Sequence, residues 1–252
     1  MSNLWVFGDS FVSDKNHWYH YNKLGEEWVC PIWHWPRQLC VKLGTENVAG
    51  ASLPGVSNEW IGYQLSEYLN KNKFQKGDYI VVVSTSIHRR WFMQEHPSLG
   101  NLYVNNMSKL VPSRTYKAIE LYKEEFTEQH EKLSEIYYQW FLTWLREVLK
   151  RYKYCLIPGF DSTRLHHVPN DWAMVQAEEA EFKNRANDKW MQEKIWDGSD
   201  KRLGHFSRCN HDILSDKIAN FFKTGELVNF QTDFKKSLFT CEQDLIDYKI
   251  EL

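Results

Sequence analysis

Leu4-Trp5-Val6-Phe7-Gly8-Asp9-Ser10-Phe11, close to the amino terminus, reads as a short apolar strand running into a glycine, an acid and a hydroxyl. A glycine lets the chain turn tightly as it leaves a strand, and a serine there would project its hydroxyl beyond the strand end. Three further apolar segments follow, Glu46 to Ala49, Tyr79 to Val83 and Tyr154 to Ile157, and helical patterns alternate with them. That alternation predicts an α/β protein with a central parallel sheet wrapped by helices. The run Ile80-Val81-Val82-Val83 suits a strand buried on both faces.

Between the second and third strands Ser57 precedes Trp60, Ile61, Leu65, Tyr68 and Leu69, so Ser57 is expected to cap an amphipathic helix. The longest helix should span about Thr115 to Tyr152. Its core stripe is expected at Ile119, Tyr122, Phe126, Leu133, Tyr137, Trp140, Trp144 and Val148. A last helix is expected over Asn210 to Phe222, with Ile213, Leu214, Ile218 and Phe221 facing inward. Two segments stand outside the alternation, an aromatic insertion at residues 12–35 and a tail at 224–252, each a candidate substrate wall or partner contact.

The chain has 252 residues, 42% of them hydrophobic, which is enough for one large core, and residues 1–223 are expected to form one domain. With 31 basic against 33 acidic residues the net charge is -2, so neither nucleic acid nor an anionic membrane is expected as a partner. Cys30, Cys40, Cys155, Cys209 and Cys241 contain no C-x-x-C pair, which argues against a zinc ribbon or a disulfide framework and for a reducing environment. Neither a signal-type leader nor a membrane-length apolar run is apparent, so a cytoplasmic or virion-associated location is expected. Aromatic residues make up 15% of the chain, with Trp28, Trp33 and Trp35 clustered; rings of this kind stack on sugars but more often fill cores.

In an open α/β sheet ligands bind beyond the carboxyl ends of the strands, where Ser10 is expected. Two more blocks accompany it. Near the carboxyl terminus His205-Phe206-Ser207-Arg208-Cys209-Asn210-His211 leads into the last helix, and after the second strand comes Gly50-Ala51-Ser52-Leu53-Pro54-Gly55-Val56-Ser57-Asn58. Together with Gly8-Asp9-Ser10 these blocks resemble the motifs of the SGNH/GDSL hydrolase family. The resemblance implies a three-layer α/β/α, flavodoxin-like fold in which Ser10 is the nucleophile and His205 the catalytic base, with His211 structural. It also implies that a backbone N–H of Gly55, or of Gly50, helps form an oxyanion hole; Gly55 is preferred because it leads straight into a helix.

The chain departs from the family pattern twice. Where the family has Gly-x-Asn-Asp after the third strand, this sequence reads Ser84-Thr85-Ser86-Ile87-His88-Arg89, similar to a Thr-Ser-x-x-Arg segment of bacteriophage and viral members. Thr85 or Ser86 would then offer a hydroxyl and Arg89 a charge in place of the missing Asn; loss of one oxyanion donor costs on the order of a hundred- to thousandfold in rate. The family's acid, three residues before the histidine, is replaced by Arg202, leaving Asp200 nearest and Asp197 next. A backbone carbonyl can partly do the acid's work of orienting the imidazole, so a Ser-His dyad is also consistent.

With an ordinary pKa of about 6.5, neutral His205 would take the Ser10 proton as the bond to carbon forms. The implied activity is an esterase or a carbohydrate O-deacetylase acting on a small-molecule or glycan ester. The competing expectation is a binding or structural protein, such as a virion component, whose site has decayed; assembly into a homo-oligomer or a virion fits either. His17, His20, His166 and His167 lack a carboxylate at metal-binding spacing and read as surface residues, so no metal and no cofactor is expected. Asp161 follows the fourth strand and is a candidate pocket residue.

Overall fold

The structure is a computed structural model; it describes residues 2–9, 11–12, 34–53, 55–87, 89–91, 113–158, 208–226 and 233. Four strands, β1 (Leu4–Gly8), β2 (Val48–Ser52), β3 (Tyr79–Ser84) and β4 (Lys153–Pro158), form one sheet in the order β2-β1-β3-β4. Four helices accompany them, α1 (Trp35–Leu43), α2 (Asn58–Asn70), α3 (Ser113–Leu149) and α4 (Arg208–Thr224). β1 pairs in parallel with β2, Leu4 opposite Val48, and with β3, Leu4 opposite Tyr79. This is the α/β class with a central parallel sheet that the alternation predicts, in the strand order of flavodoxin-like folds.

Burial follows position in the sheet. β3 is interior, and Ile80, Val81, Val82 and Val83 are all buried. β2 lies at the edge and is half-buried throughout. The weakness of that edge, Val48-Ala49-Gly50-Ala51-Ser52, explains why the strand lies two residues later than the apolar pattern suggested. The chain divides into two compact units, one of residues 1–29 and 46–154, the other of 30–45 and 155–252.

In the first unit, Trp5 and Phe7 point to the same side of β1, as alternate strand residues must. Both meet Tyr68 and Phe74 edge-on, at centroid distances of 5.2 to 6.1 Å, so these aromatic rings serve the core. Asp78, fully buried just before β3, accepts from the backbone N–H of Asn3 at 2.8 Å, the Trp5 indole at 2.7 Å and the N–H of Gln75 at 2.9 Å. It thereby fixes the amino ends of β1 and β3 to each other. Ser57 caps α2 as expected, its hydroxyl accepting from the Trp60 N–H.

The long helix corrects the expected stripe. Among its described side chains Ser134, Tyr138, Leu142, Leu145 and Leu149 are buried, whereas Tyr137 and Trp140 are exposed. The core face is therefore rotated by about one residue from the face read in the sequence. The side chains of Ile119, Tyr122 and Phe126 lie outside the described residues.

In the second unit α1 packs against α4. Trp35 and Leu39 are buried, and the Trp35 N–H donates to His211 Nδ1 at 3.4 Å. The rings of His34 and His211 pack at a tilt of 53° with centroids 4.5 Å apart, and both residues are buried, so His211 is an interior helix residue. Lys42 bridges Asp212 and Asp216 at 2.8 and 2.7 Å, and Lys217 pairs with Asp233 of the tail at 2.8 Å.

Candidate active site

The strand order reverses direction between β1 and β3, and at such a switch point the loops leaving the carboxyl ends separate and open a crevice. Gly8 ends β1. A Cβ there would lie 2.5 Å from Val12 Cγ2 and 3.0 Å from the Val83 carbonyl oxygen, so only glycine lets the turn close against β3. After it the chain turns sharply, the Val12 N–H donating to the Asp9 carbonyl at 3.1 Å.

Asp9 is fully buried in this turn, and both of its carboxylate oxygens are engaged. Oδ1 accepts from the Phe11 N–H at 3.0 Å. Oδ2 accepts from the Thr85 hydroxyl at 2.9 Å and from Arg89 Nη1 at 2.7 Å. An unpaired carboxylate at this depth would be prohibitively costly, and the guanidinium supplies the compensating charge.

Arg89 joins three loops. Its Nη1 also donates to the Thr85 hydroxyl and, at 3.4 Å, to the carbonyl of Val56. Asn58, in the first turn of α2, holds the third loop by a two-way amide pairing: Nδ2 donates to the Thr85 carbonyl and the Thr85 N–H donates to Oδ1, both at 2.9 Å. The turn after β1, the turn before α2 and the loop after β3 thus form one hydrogen-bonded cluster.

Gly55 stands in the turn before α2 with a φ of 76°, a left-handed conformation that favours glycine. Gly50 lies within β2 opposite Val6, where a Cβ would fall 2.1 Å from the Val6 carbonyl oxygen, and its backbone serves strand pairing. Thr85 and Arg89 are directed at Asp9, and half-buried Ser86 closes a turn by accepting the Arg89 N–H on its carbonyl at 3.2 Å. Ser10, His205, Asp200, Asp197 and Asp161 lie outside the described residues, as do His17, His20, His166 and His167, most of the aromatic insertion and most of the tail.

Sequence reasoning missed the roles of Asp9, Asn58 and Asp78. For Asn58 a signal existed, since an amide side chain directly after a helix cap has backbone groups within reach. Cys155 on β4 is buried, and burial pushes its thiol pKa up, so it is no candidate thiolate nucleophile. Among the described residues no group of three His, Cys, Asp or Glu side chains could hold a metal ion, and no helix is long and apolar enough to cross a membrane.

No protein-family model matches the sequence, and a search of curated proteins gives no match. Among solved structures the chain is similar to the lipase/acylhydrolase from Enterococcus faecalis, at 15% sequence identity and a TM-score of 0.38, over 88% of this chain and 96% of that one.

Proposed function

We propose that this protein is a carboxylic ester hydrolase of the SGNH type, acting through Ser10 and His205. The observation that carries the reading is the Arg89 cluster. Its guanidinium bonds to Asp9, the residue before Ser10, to the turn that holds Gly55 and to the loop after β3, at the edge of the sheet where α/β proteins bind ligands. Two of the three motif blocks therefore meet at the switch point.

On this reading neutral His205 accepts the Ser10 proton as the oxygen attacks the ester carbonyl, and the N–H groups of Ser10 and Gly55 receive the developing oxyanion. His205 then protonates the departing alkoxide, and water repeats the sequence on the acyl-enzyme. Asp200 holds the imidazole tautomer. Thr85 and Arg89 are positioning residues: they fix Asp9, and through it the backbone from which Ser10 extends.

A second reading, a binding or structural protein with a decayed site, is favoured by one observation. The hydroxyl and the cation expected to replace the family's missing Asn are both turned toward Asp9. A fluorophosphonate probe, followed by mapping of the modified peptide, separates the two. Label on the peptide containing Ser10, abolished by Ser10→Ala, is the expected result; an unlabelled protein would support the decayed site.

A further inference from the structure

The helix α3 carries two apolar stripes, one facing the core and one facing solvent. Tyr138, Leu142, Leu145 and Leu149 are buried, whereas Ile136 is 37% exposed, Tyr137 47% and Trp140 65%. With half-buried Leu133 and Trp144, the exposed residues stand at i, i+3, i+4, i+7 and i+11, the spacing of a single helical face. At 3.6 residues per turn Trp140 lies almost opposite Tyr138, so this outer stripe points away from the core. The rings of Tyr137 and Trp140 pack edge-on at 5.7 Å, which makes the stripe contiguous. Isolated exposed rings are ordinary; grouped ones mark an interaction surface.

The charges beside the stripe point to its occupant. Lys132 stands eight positions before Trp140 and Glu147 seven after it, both exposed. Glu135 and Arg146, also exposed, stand five before and six after. When a second α3 lies antiparallel, with Trp140 against Trp140, each Lys132 faces Glu147 of the other copy and each Glu135 lies on the same flank as its Arg146. A parallel pairing would set every charge beside its like. Glu147 also accepts from Lys150 at 2.7 Å on its own helix, an exposed pair that leaves the carboxylate able to take a second donor. An unrelated helix would match this order of charges by chance; a second copy of the chain matches it by construction.

We infer that the outer face of α3 joins two copies of this chain, paired antiparallel about a twofold axis at Trp140. Such a contact is isologous and closes at two copies. The stripe from Leu133 to Trp144 is about 18 Å long, so the contact falls below the standard interface of about 800 Å² per partner. The dimer is therefore weak and forms with rising concentration.

Sedimentation equilibrium of the full-length protein at low salt, from about 5 to about 500 µM, tests this across micromolar affinities. The weight-average mass should climb from 30.2 kDa towards two copies and stop there. Trp140→Ala should raise the dissociation constant by about tenfold or more, since a central tryptophan carries much of an interface's energy. Lys132→Glu and Glu147→Lys should each raise it by about fivefold, because the axis sets the like charges together twice, and the double reversal should restore wild-type association. Val41→Ser, which removes an apolar side chain 81% exposed in the other unit, should change nothing. These side chains are exposed, so urea midpoints at the lowest concentration should match wild type. A mass fixed at one copy, a mass climbing past two, a dimer that Trp140→Ala leaves intact, or a double reversal no tighter than the single ones would each overturn the inference.

Discussion

Ser10→Ala will lower kcat on p-nitrophenyl acetate by on the order of a thousandfold or more, and His205→Ala will do the same. On the proposed mechanism the two groups would act as a unit: without the base the hydroxyl is a poor nucleophile at neutral pH, and without the hydroxyl the imidazole has no proton to move. The double variant should therefore be no slower than either single one, and stopped-flow or steady-state kinetics on all three measure this non-additivity directly. Asp200 grades the mechanism further. If its carboxylate orients the imidazole, Asp200→Asn costs up to about ten-thousandfold in kcat, whereas a dyad oriented by a backbone carbonyl leaves the rate nearly unchanged. Ser10→Ala and wild type hydrolysing at equal rates would remove Ser10 from the chemistry altogether.

Arg89→Met will destabilise the protein by about 3–5 kcal/mol, because it leaves the Asp9 carboxylate buried without its cation. Asp9 is fully buried and the Arg89 side chain only 12% exposed, so solvent does little to screen the pair. Thr85 and the Phe11 N–H would still donate to the carboxylate, but neither brings charge. Adding Asp9→Asn to Arg89→Met removes the stranded charge, so the double variant should recover part of the loss. Urea unfolding of the four proteins in a double-mutant cycle gives the coupling. A cost below about 1 kcal/mol for Arg89→Met would class the pair with solvent-screened surface bridges and remove its role in fixing the turn.

Local patterns in the sequence carried the strands and three of the four helices, because strand and helix periodicities act over a few residues. The helix α1 was missed although its boundaries are marked. Pro36 stands in its first turn and Gly44, with a φ of 65°, follows its end, the asymmetry typical of helix termini. The aromatic residues around it instead suggested an insertion. On α3 two stripes share one period: Tyr137, Trp140, Trp144 and Val148 against Ser134, Tyr138, Leu142, Leu145 and Leu149. Size and apolarity favoured the first; burial took the second. Large apolar residues need not be interior, and here Tyr137, Trp140 and Trp144 line a cleft between α2 and α3.

The site was legible as motifs but not as a network. Gly8-Asp9-Ser10 was read for its glycine and its hydroxyl, yet its acid drew no attention, because its partners Thr85 and Arg89 stand 76 and 80 positions away. Asp78 was silent for the same reason, holding Asn3 from a sequence distance of 75. No window of periodicity spans such distances.

The two buried acids sit at opposite ends of the same pair of strands. Asp78 ties the amino ends of β1 and β3, and Asp9 ties the loop leaving β1 to the loop leaving β3. A ribbon pinned in this way cannot fray from either tip, so the amides of β1 and β3 should be the last of their unit to exchange with deuterium, well after those of the edge strand β2. The nucleophile proposed here would then hang from the most slowly opening part of the unit, anchored at both tips of the ribbon that carries it.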